Sequence, residues 1–219
     1  MKSFTAIGAV AAALTLGAGP ANAAVVLLDF TNAPCSASGT LCAISQAYGD
    51  QAGVDVSYDT VSVATGEATS SAFYWSGKYG DLDKVLYAGA DARNAYGEVV
   101  LRAANGYKLS LLDFDYAGFG GARNAPFKIL DLAGNVLTSF TGSTTAGGHE
   151  SASINTAYLD GVVLRWGPDS YNVALDNIRF DLQAPAVSAA PEPAGWALML
   201  AGFGGMGAML RARRRSLAV

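Results

Sequence analysis

Asp176, an aspartate near the end of the chain, lies on a strand face that is predicted to be buried, where a carboxylate is costly. In the strand-like stretch 174–182, every second residue shares a face, and Ile178 and Phe180 predict that this face, which also carries Asp176, is buried. Asp29 has the same phase relative to its apolar neighbours near the start of the chain. A buried carboxylate must be hydrogen-bonded, ion-paired or bound to a metal. Asp176 and Asp29 are therefore the first candidates for a binding site.

The run VALDNIRF, residues 173–180, resembles the closing strand of carbohydrate-binding jelly rolls. In those domains an aspartate at this place often binds a structural calcium. The resemblance implies a calcium site in which Asp176 and Asp29 act together with backbone carbonyl oxygens. The alternative is that Asp176 accepts hydrogen bonds from backbone amides or pairs with an arginine such as Arg165 or Arg102.

Aromatic residues cluster in two places, and exposed rings of this kind stack on sugar faces whereas buried rings fill a core. The clusters are Phe73, Tyr74, Trp75 and Tyr79 around one glycine-rich turn, and Trp166 and Tyr171 around another. Trp75 and Trp166 are the candidate glycan-stacking residues. Burial in the core is the alternative for both.

Signals for catalysis are few. The sequence lacks a Gly-x-Ser-x-Gly elbow, a His-Glu-x-x-His motif and a Cys/His ligand set. Its one histidine, His149, lies in a glycine-rich loop near Ser151, and we expect a solvated loop residue rather than part of a triad. Two carboxylates suffice for a glycosidase, but nothing singles out a pair among the 17 acidic residues of the exported part. The Asp-x-Asp pairs at 81–83 and 113–115 lack the calcium-loop pattern of an EF-hand and fit solvated strand faces better. We therefore assign no catalytic residue.

The two cysteines, Cys35 and Cys42, are separated by six residues in a Ser/Gly/Thr-rich stretch. In an exported chain, an even pair predicts a disulfide. Closing so short a loop is worth roughly 2–3 kcal/mol in the chain-entropy model. A catalytic or metal-binding cysteine is the alternative, but a second set of ligands is missing.

The middle of the chain, 24–183, consists of short alternating apolar runs separated by turn residues and predicts about ten strands. The predicted strands are Val25–Phe30, Val54–Val63, Ala72–Trp75, Lys84–Tyr87, Gly97–Ala103, Tyr107–Tyr116, Pro126–Leu132, Val136–Phe140, Gly161–Trp166 and Asn172–Leu182. In Tyr107–Tyr116 the apolar phase switches, which predicts either a bulge or a strand that crosses a bend. The pattern indicates an all-β fold, an antiparallel β-sandwich of jelly-roll type, in which the first and last strands are commonly neighbours.

The exported part of the chain is acidic. It carries nine basic and 17 acidic residues, a net charge of −8, within a whole-chain formal charge of −4. A domain of this charge disfavours nucleic acid, which requires a basic face. It suits a soluble surface protein with carboxylates to spare for a hard cation.

The N-terminus has the pattern of a secretory signal peptide, predicted over 1–23. Lys2 supplies a positive charge, residues 4–17 form an apolar stretch, and Ala21-Asn22-Ala23 forms a small-x-small cleavage site. The mature chain is expected to begin at Ala24.

The C-terminal tail has a linker (184–193), an uncharged apolar segment (194–210) and a basic end (211–219). Residues 194–210 would form a helix of roughly 25 Å, and we predict a short transmembrane helix with Trp196 near the outer interface. The positive-inside rule assigns the arginines after it to the cytoplasm, so the β domain is expected outside the cytoplasm. These arginines are Arg211, Arg213, Arg214 and Arg215.

The tail PEPAGWALMLAGFGGMGAMLRARRR resembles the PEP-CTERM sorting signal of Gram-negative bacteria, with its Pro-Glu-Pro motif, apolar helix and final arginines. The resemblance implies that Pro191, Glu192 and Pro193 are recognised by exosortase, a membrane cysteine transpeptidase, which removes the helix near the motif. A stiff spacer and a permanent anchor are the alternatives.

These features together predict an exported surface or matrix protein with a structural or adhesive role, which binds glycan or calcium. Its expected partners are signal peptidase, an exosortase-like transpeptidase, the inner membrane during transit, and exopolysaccharide. A secreted hydrolase acting on matrix polysaccharide is the alternative function.

Overall fold

A computed structural model describes residues 23–32, 41–89, 94–186 and 193–216. The described residues form thirteen strands and one helix. These are β1 (Ala23–Leu28), β2 (Leu41–Ala43), β3 (Val54–Ser62), β4 (Ala68–Ser71), β5 (Phe73–Tyr79), β6 (Leu82–Tyr87), β7 (Ala95–Ala103), β8 (Lys108–Gly118), β9 (Asn124–Asp131), β10 (Val136–Ser143), β11 (Glu150–Ser153), β12 (Gly161–Trp166), β13 (Val173–Gln183) and α1 (Pro193–Ser216).

The strands form two antiparallel sheets. The first sheet has the order β11-β8-β13-β6-β5-β2, with β1 paired to β13, and the second has the order β10-β9-β12-β7-β3-β4. The predicted neighbourhood of the first and last strands is confirmed, since β1 pairs with β13 from Ala23 opposite Gln183 to Leu28 opposite Ile178. On the same side of β13, β6 pairs at Leu175. The neighbour of β13 therefore changes from β6 to β1 around Asp176.

One apolar core lies between the sheets. Alternation places Val54, Val56 and Tyr58 of β3 in it, and Phe114 of β8 meets Phe127 of β9 across the layers with ring centroids 5.4 Å apart. Each fully buried aliphatic or aromatic side chain of this kind contributes roughly 1.5–3 kcal/mol. The predicted antiparallel β-sandwich is confirmed, while its jelly-roll type stays a prediction.

The phase switch in β8 is a bulge, which is one of the two alternatives predicted for it. Leu109 and Leu111 face the core, and after the switch Phe114 and Tyr116 face the same core. The register between β13 and β8 shifts at Arg179. The bulge therefore keeps apolar residues inward on both sides of the shift, so that Asp113 and Asp115 stay on the outer face.

The phase predicted for β13 is wrong. Leu175 and Ile178 both face the core, which an unbroken alternation does not allow. Asn177 has φ 48°, a left-handed conformation that asparagine tolerates better than most residues, and it resets the alternation. Asp176 is consequently on the outer face with Ala174, opposite Asp115 of β8, rather than on the face of Ile178 and Phe180.

Three short strands were not predicted. β2, β4 and β11 are three or four residues long, and β4 (ATSS) and β11 (ESAS) are almost entirely polar. They lack the alternating apolar pattern on which a strand prediction depends. β11 matters for the function, because it forms one wall of the site described below.

The C-terminal segment is helical, but the predicted transmembrane helix is not found. Among the described residues, no helix has the length and apolar character needed to cross a bilayer. Five glycines occur in α1, and the helix continues through the basic end to Ser216 instead of stopping at residue 210. Both features lower its apolar content.

Several predictions fall outside the described residues, namely those on residues 1–22, on Cys35, and on Pro191 and Glu192. Ala23 and Ala24 are the first residues of β1, and Trp196 is 55% exposed on α1. Cys42 is buried, and no described cysteine is a free thiol. The disulfide with Cys35 stays a prediction.

Candidate functional site

A pocket of about 510 Å³ opens on the outer face of the first sheet, with Leu27 of β1 at its rim. Its polar walls are contributed by three strands: Asp113 and Asp115 from β8, Ser151 and Ser153 from β11, and Asn177 and Arg179 from β13. We call it the acidic pocket. It lies beside the place where the neighbour of β13 changes, because Asn177 follows Asp176 directly.

Asp113 and Arg179 form a two-pronged ion pair in the acidic pocket. Arg179 Nε donates to Asp113 Oδ1 and Nη2 donates to Oδ2, both at 2.6 Å. The neighbouring carboxylate raises the pKa of Arg179. Bidentate pairs are the strongest and most directional of the charged hydrogen bonds, so this pair fixes one wall of the pocket.

Asp115 is held by two neutral donors. Ser151 Oγ donates to Asp115 Oδ1 at 2.5 Å, and Asn177 Nδ2 donates to Oδ2 at 2.9 Å. These contacts join β11, β8 and β13, which are adjacent in the sheet. Neither donor carries a charge, so the negative charge of Asp115 is not cancelled by them.

Asp176 lies next to the pocket and is 7% exposed. Its Oδ1 accepts a hydrogen bond from the backbone N–H of Asn177 at 2.8 Å. Burial raises the pKa of Asp176 to about 7, and the carboxylates of Asp115 and Asp29 push it the same way. The proposed pairing of Asp176 with Arg165 or Arg102 is not found, because Arg165 pairs with Glu98 and Arg102 lies in the other sheet.

Asp29 follows β1 and is close enough to Asp176 to affect its pKa. Its Oδ1 accepts hydrogen bonds from Tyr48 Oη at 3.3 Å and from the backbone N–H of Thr31 at 3.2 Å. Burial, followed by this carboxylate, raises the pKa of Tyr48 to about 12. Within the described residues no group of three or more acidic, histidine or cysteine side chains is placed to hold a metal ion. The calcium site predicted at Asp176 and Asp29 therefore stays a prediction without a ligand cage to support it.

His149 is an exposed loop residue, as its sequence context predicts, and it also contacts two aspartates. Its Nδ1 is 2.8 Å from Asp81 Oδ1, and its Nε2 is 4.0 Å from Asp115 Oδ2. The hydrogen bond with Asp81 raises the pKa of His149 and lowers the pKa of Asp81. Ser151 donates to Asp115, so these residues are not arranged as a serine–histidine–aspartate triad. His149 instead ties the loop before β11 to the β5–β6 turn.

The titration of His149 tests this ion pair directly, because the chain has one histidine. We expect its imidazole signals to titrate above the ordinary pKa of 6.5, and Asp81→Asn to bring the midpoint down. Since the folded pKa is raised, the pair stabilises the fold fully below pH 6.5 and loses this contribution as the pH rises through the folded pKa. Proton NMR against pH measures the midpoint, with Asp83→Asn as the control. A titration midpoint of His149 that is the same in Asp81→Asn as in the wild type would contradict the ion pair.

A group of aromatic side chains, which we call the aromatic patch, lies on the same outer face over β5 and β6. Tyr87 is buried at its centre, with the half-buried residues Phe73, Trp75, Phe119 and Tyr171 around it. The patch lies close to the acidic pocket, because Ala117 and Ala174 contact it and are two residues from Asp115 and Asp176 along β8 and β13. Trp75 thus keeps its place as a candidate stacking residue.

Trp166 is not a stacking residue. It is 0% exposed, and its Nε1 donates to the backbone carbonyl of Val173 at 2.8 Å. Strand alternation turns it into the core between the sheets, which is the alternative that the sequence left open.

Five residues of the site were missed at the level of sequence: Asp113, Asp115, Ser151, Asn177 and Arg179. The two aspartates were assigned to solvated faces, and the others were not considered as ligands. A signal was available, since alternation places Asp113 and Asp115 on one face and the phase switch in β8 makes that face the outer one. What the sequence does not contain is the register that brings β11 and β13 beside them.

No protein-family model and no curated protein sequence matches this chain. Among solved structures, it is similar to a family 35 carbohydrate-binding module from Cellvibrio japonicus with TM-score 0.32 and 14% identity, over 74% of this chain and 94% of that one. It is also similar to a family 29 module from Piromyces equi with TM-score 0.30 and 18% identity, over 64% and 95% of the two chains. At these scores neither likeness assigns a fold or a function.

Proposed function

We propose that this protein is an exported glycan-binding protein of the cell surface or extracellular matrix, and that the glycan lies on the outer face of the first sheet. The observation that carries the proposal is the acidic pocket. Its wall side chains bear carboxylate, amide, hydroxyl and guanidinium groups, which together donate and accept hydrogen bonds as sugar hydroxyls require. Pockets with a few converging polar groups are the usual sites for small ligands.

The aromatic patch supports the same proposal. Sugar rings present C–H faces that pack on aromatic rings, and Trp75 and Tyr171 are half-buried rings on the face that holds the pocket. Residues two apart on a strand are separated by about 6.8 Å, so the pocket and the patch lie within reach of one oligosaccharide. A long glycan would occupy both.

A hydrolase acting on polysaccharide is the second candidate. Asp115 and Asp176 are direct partners across β8 and β13, and residues so placed have Cβ atoms about 4.5–5.5 Å apart. Retaining glycosidases hold two carboxyl groups at about that separation. However, Asp115 lines the pocket whereas Asp176 is buried beside it, which favours binding without turnover.

Closing the pocket tests the binding proposal whatever the detailed chemistry. Ser153 is an exposed residue in the pocket wall, so Ser153→Tyr would fill the cavity without disturbing the core. We expect wild-type protein to bind members of a glycan panel saturably and without turnover, and Ser153→Tyr to bind at least about tenfold more weakly. Ser143→Tyr, at an exposed strand position in the other sheet, is the matched control.

Two outcomes would count against the proposal. Binding that survives in Ser153→Tyr would move the glycan away from the acidic pocket. Release of shorter sugars from the panel by wild-type protein, lost in Asp115→Asn, would favour the hydrolase.

The proposed export and sorting depend on the signal-peptide pattern and the PEP-CTERM resemblance. We propose removal of the first 23 residues by signal peptidase and cleavage near Pro193 by an exosortase-like transpeptidase. The intact mass of protein recovered from the native cell surface should then match a chain from Ala24 to about Pro193. A mass that extends to Val219 would contradict the C-terminal cleavage.

A further inference from the structure

The charges around the acidic pocket do not balance. Asp113 is neutralised by Arg179, and Asp81 is paired with His149. Asp115 is hydrogen-bonded by serine and asparagine, with His149 Nε2 no closer than 4.0 Å. Asp176 and Asp29 lie nearby, and no described arginine or lysine is paired with either of them. The pocket therefore carries excess negative charge.

The free hydrogen-bonding positions of the pocket are mainly acceptors. The hydroxyl proton of Ser151 is directed at Asp115, so the Ser151 oxygen offers only lone pairs to a ligand. Each oxygen of Asp115 accepts one hydrogen bond within the described chain, and a carboxylate oxygen has room for two. Asn177 Nδ2 donates to Asp115, which leaves Asn177 Oδ1 as an acceptor. Asp115, Ser151 and Asn177 thus form an acceptor-rich wall.

A second observation comes from Asp176. It is 7% exposed, and within the described residues its Oδ1 accepts one hydrogen bond while its Oδ2 accepts none. Oδ2 is therefore an acceptor position beside the pocket that no described donor uses. A cation bound at the neighbouring Asp115 would also be attracted to Asp176 in its ionised form.

An ammonium group fits these features better than a metal ion. Calcium requires six to eight oxygen ligands, and no described group of three acidic, histidine or cysteine side chains is placed to hold a metal. An ammonium group has three N–H donors, which matches the three acceptors of Asp115, Ser151 and Asn177. It also carries the charge that the pocket lacks.

We propose that the acidic pocket binds a glycan that contains unacetylated amino sugars, with the sugar ammonium seated against Asp115, Ser151 and Asn177. This inference rests on the proposed glycan-binding function and names its ligand class. N-acetylation removes the charge and two donors, so the acetylated polymer is a weaker ligand. A uronate-containing polymer is disfavoured, because its negatively charged carboxylates would be repelled by the carboxylates of the pocket.

The test compares glucosamine oligomers with N-acetylglucosamine oligomers and glucuronate-containing oligomers of equal length, at pH 7 and low salt. Charged hydrogen bonds contribute enough for about a tenfold preference for the amino sugar, and we expect added salt to reduce it. Asp115→Asn keeps the side-chain shape and should abolish the preference. Asp55→Asn removes an exposed carboxylate from the other sheet and should leave it unchanged.

The outcomes separate this inference from the proposed function. If N-acetylglucosamine or glucuronate oligomers bind as tightly as glucosamine oligomers, and Ser153→Tyr abolishes that binding, the pocket is a glycan site and the amino-sugar inference fails. If no oligomer binds, the proposed function fails with it. A lysine-rich peptide is tested in parallel with the oligomers. If the peptide binds and no glycan does, the ligand is a cationic protein, and both the amino-sugar inference and the proposed glycan-binding function are overturned.

Discussion

Asp176→Asn should raise the free energy of unfolding by about 2–4 kcal/mol at pH 8. Aspartate has an ordinary pKa of 3.8, and burial raises the pKa of Asp176 to about 7. Each unit of pKa difference between folded and unfolded chain corresponds to about 1.36 kcal/mol. The wild-type fold must therefore hold a charge at pH 8 that it disfavours, and asparagine removes the charge at nearly constant shape.

The pH dependence gives the sign of the effect. Below pH 3.8 the carboxyl group is protonated in both the folded and the unfolded chain, so the two proteins should have equal stability. Between pH 3.8 and about 7 the unfolded chain releases the proton first, and the wild type becomes progressively less stable than Asp176→Asn. Above about pH 7 the difference is constant.

Urea unfolding of both proteins at pH 5 and pH 8 measures this difference. Asp83→Asn is the control, because Asp83 is an exposed carboxylate of the same sheet. A variant that is less stable than wild type at pH 8 would contradict the prediction. If chelator also lowered the melting temperature of the wild type alone, the calcium site predicted from the sequence would explain both results.

Trp166→Ala should destabilise the protein by about 3–5 kcal/mol, the cost of removing a large aromatic side chain from a packed core. Trp166 is 0% exposed and fills the space over Gly97, where a Cβ atom would lie 2.2 Å from the indole Cζ2. Alanine would leave a cavity, and the Val173 carbonyl would lose its indole donor. Gly97 has no side chain with which to fill the space.

Trp75→Ala is the matched control for Trp166→Ala. Trp75 is half-buried and packs edge-on against Tyr87, so its removal should cost less stability and weaken glycan binding. Chemical denaturation and a binding titration on both variants separate the two roles. A larger loss of stability in Trp75→Ala than in Trp166→Ala would contradict the assignment of core and surface tryptophans.

Local patterns predicted those parts of the fold in which one face is apolar and the other polar. Val54–Ser62 alternates and Gly161–Trp166 is apolar except for Arg165, and both form strands close to the predicted limits. β4 and β11 are polar on both faces, so nothing in their own residues distinguishes them from loops. They are strands because β3 and β8 offer them backbone partners.

The site was less predictable than the fold, because it depends on two departures from regular alternation. The bulge in β8 was visible as a phase switch, but the one at Asn177 was not, since Asp176, Ile178 and Phe180 maintain an apparent period of two across it. The error placed Asp176 on the correct strand and on the wrong face. Asp113 and Arg179 are 66 positions apart in the sequence, and their pairing depends on the register between their two strands. No local sequence pattern contains that register.

Because the neighbour of β13 changes from β6 to β1, one side of the pocket is formed by β1, a strand that can separate from β13 while the rest of the sandwich stays folded. β1 pairs with β13 alone within the described chain, and its Val25 and Leu27 are 63% and 50% exposed. Strands with few buried contacts open locally at a small fraction of the global unfolding free energy. The amides of β1 should thus exchange with solvent well before those of β8. Because Leu27 lines the pocket, each such opening also widens it, so the size of ligand that the pocket admits depends on the local stability of β1 as well as on the cavity volume.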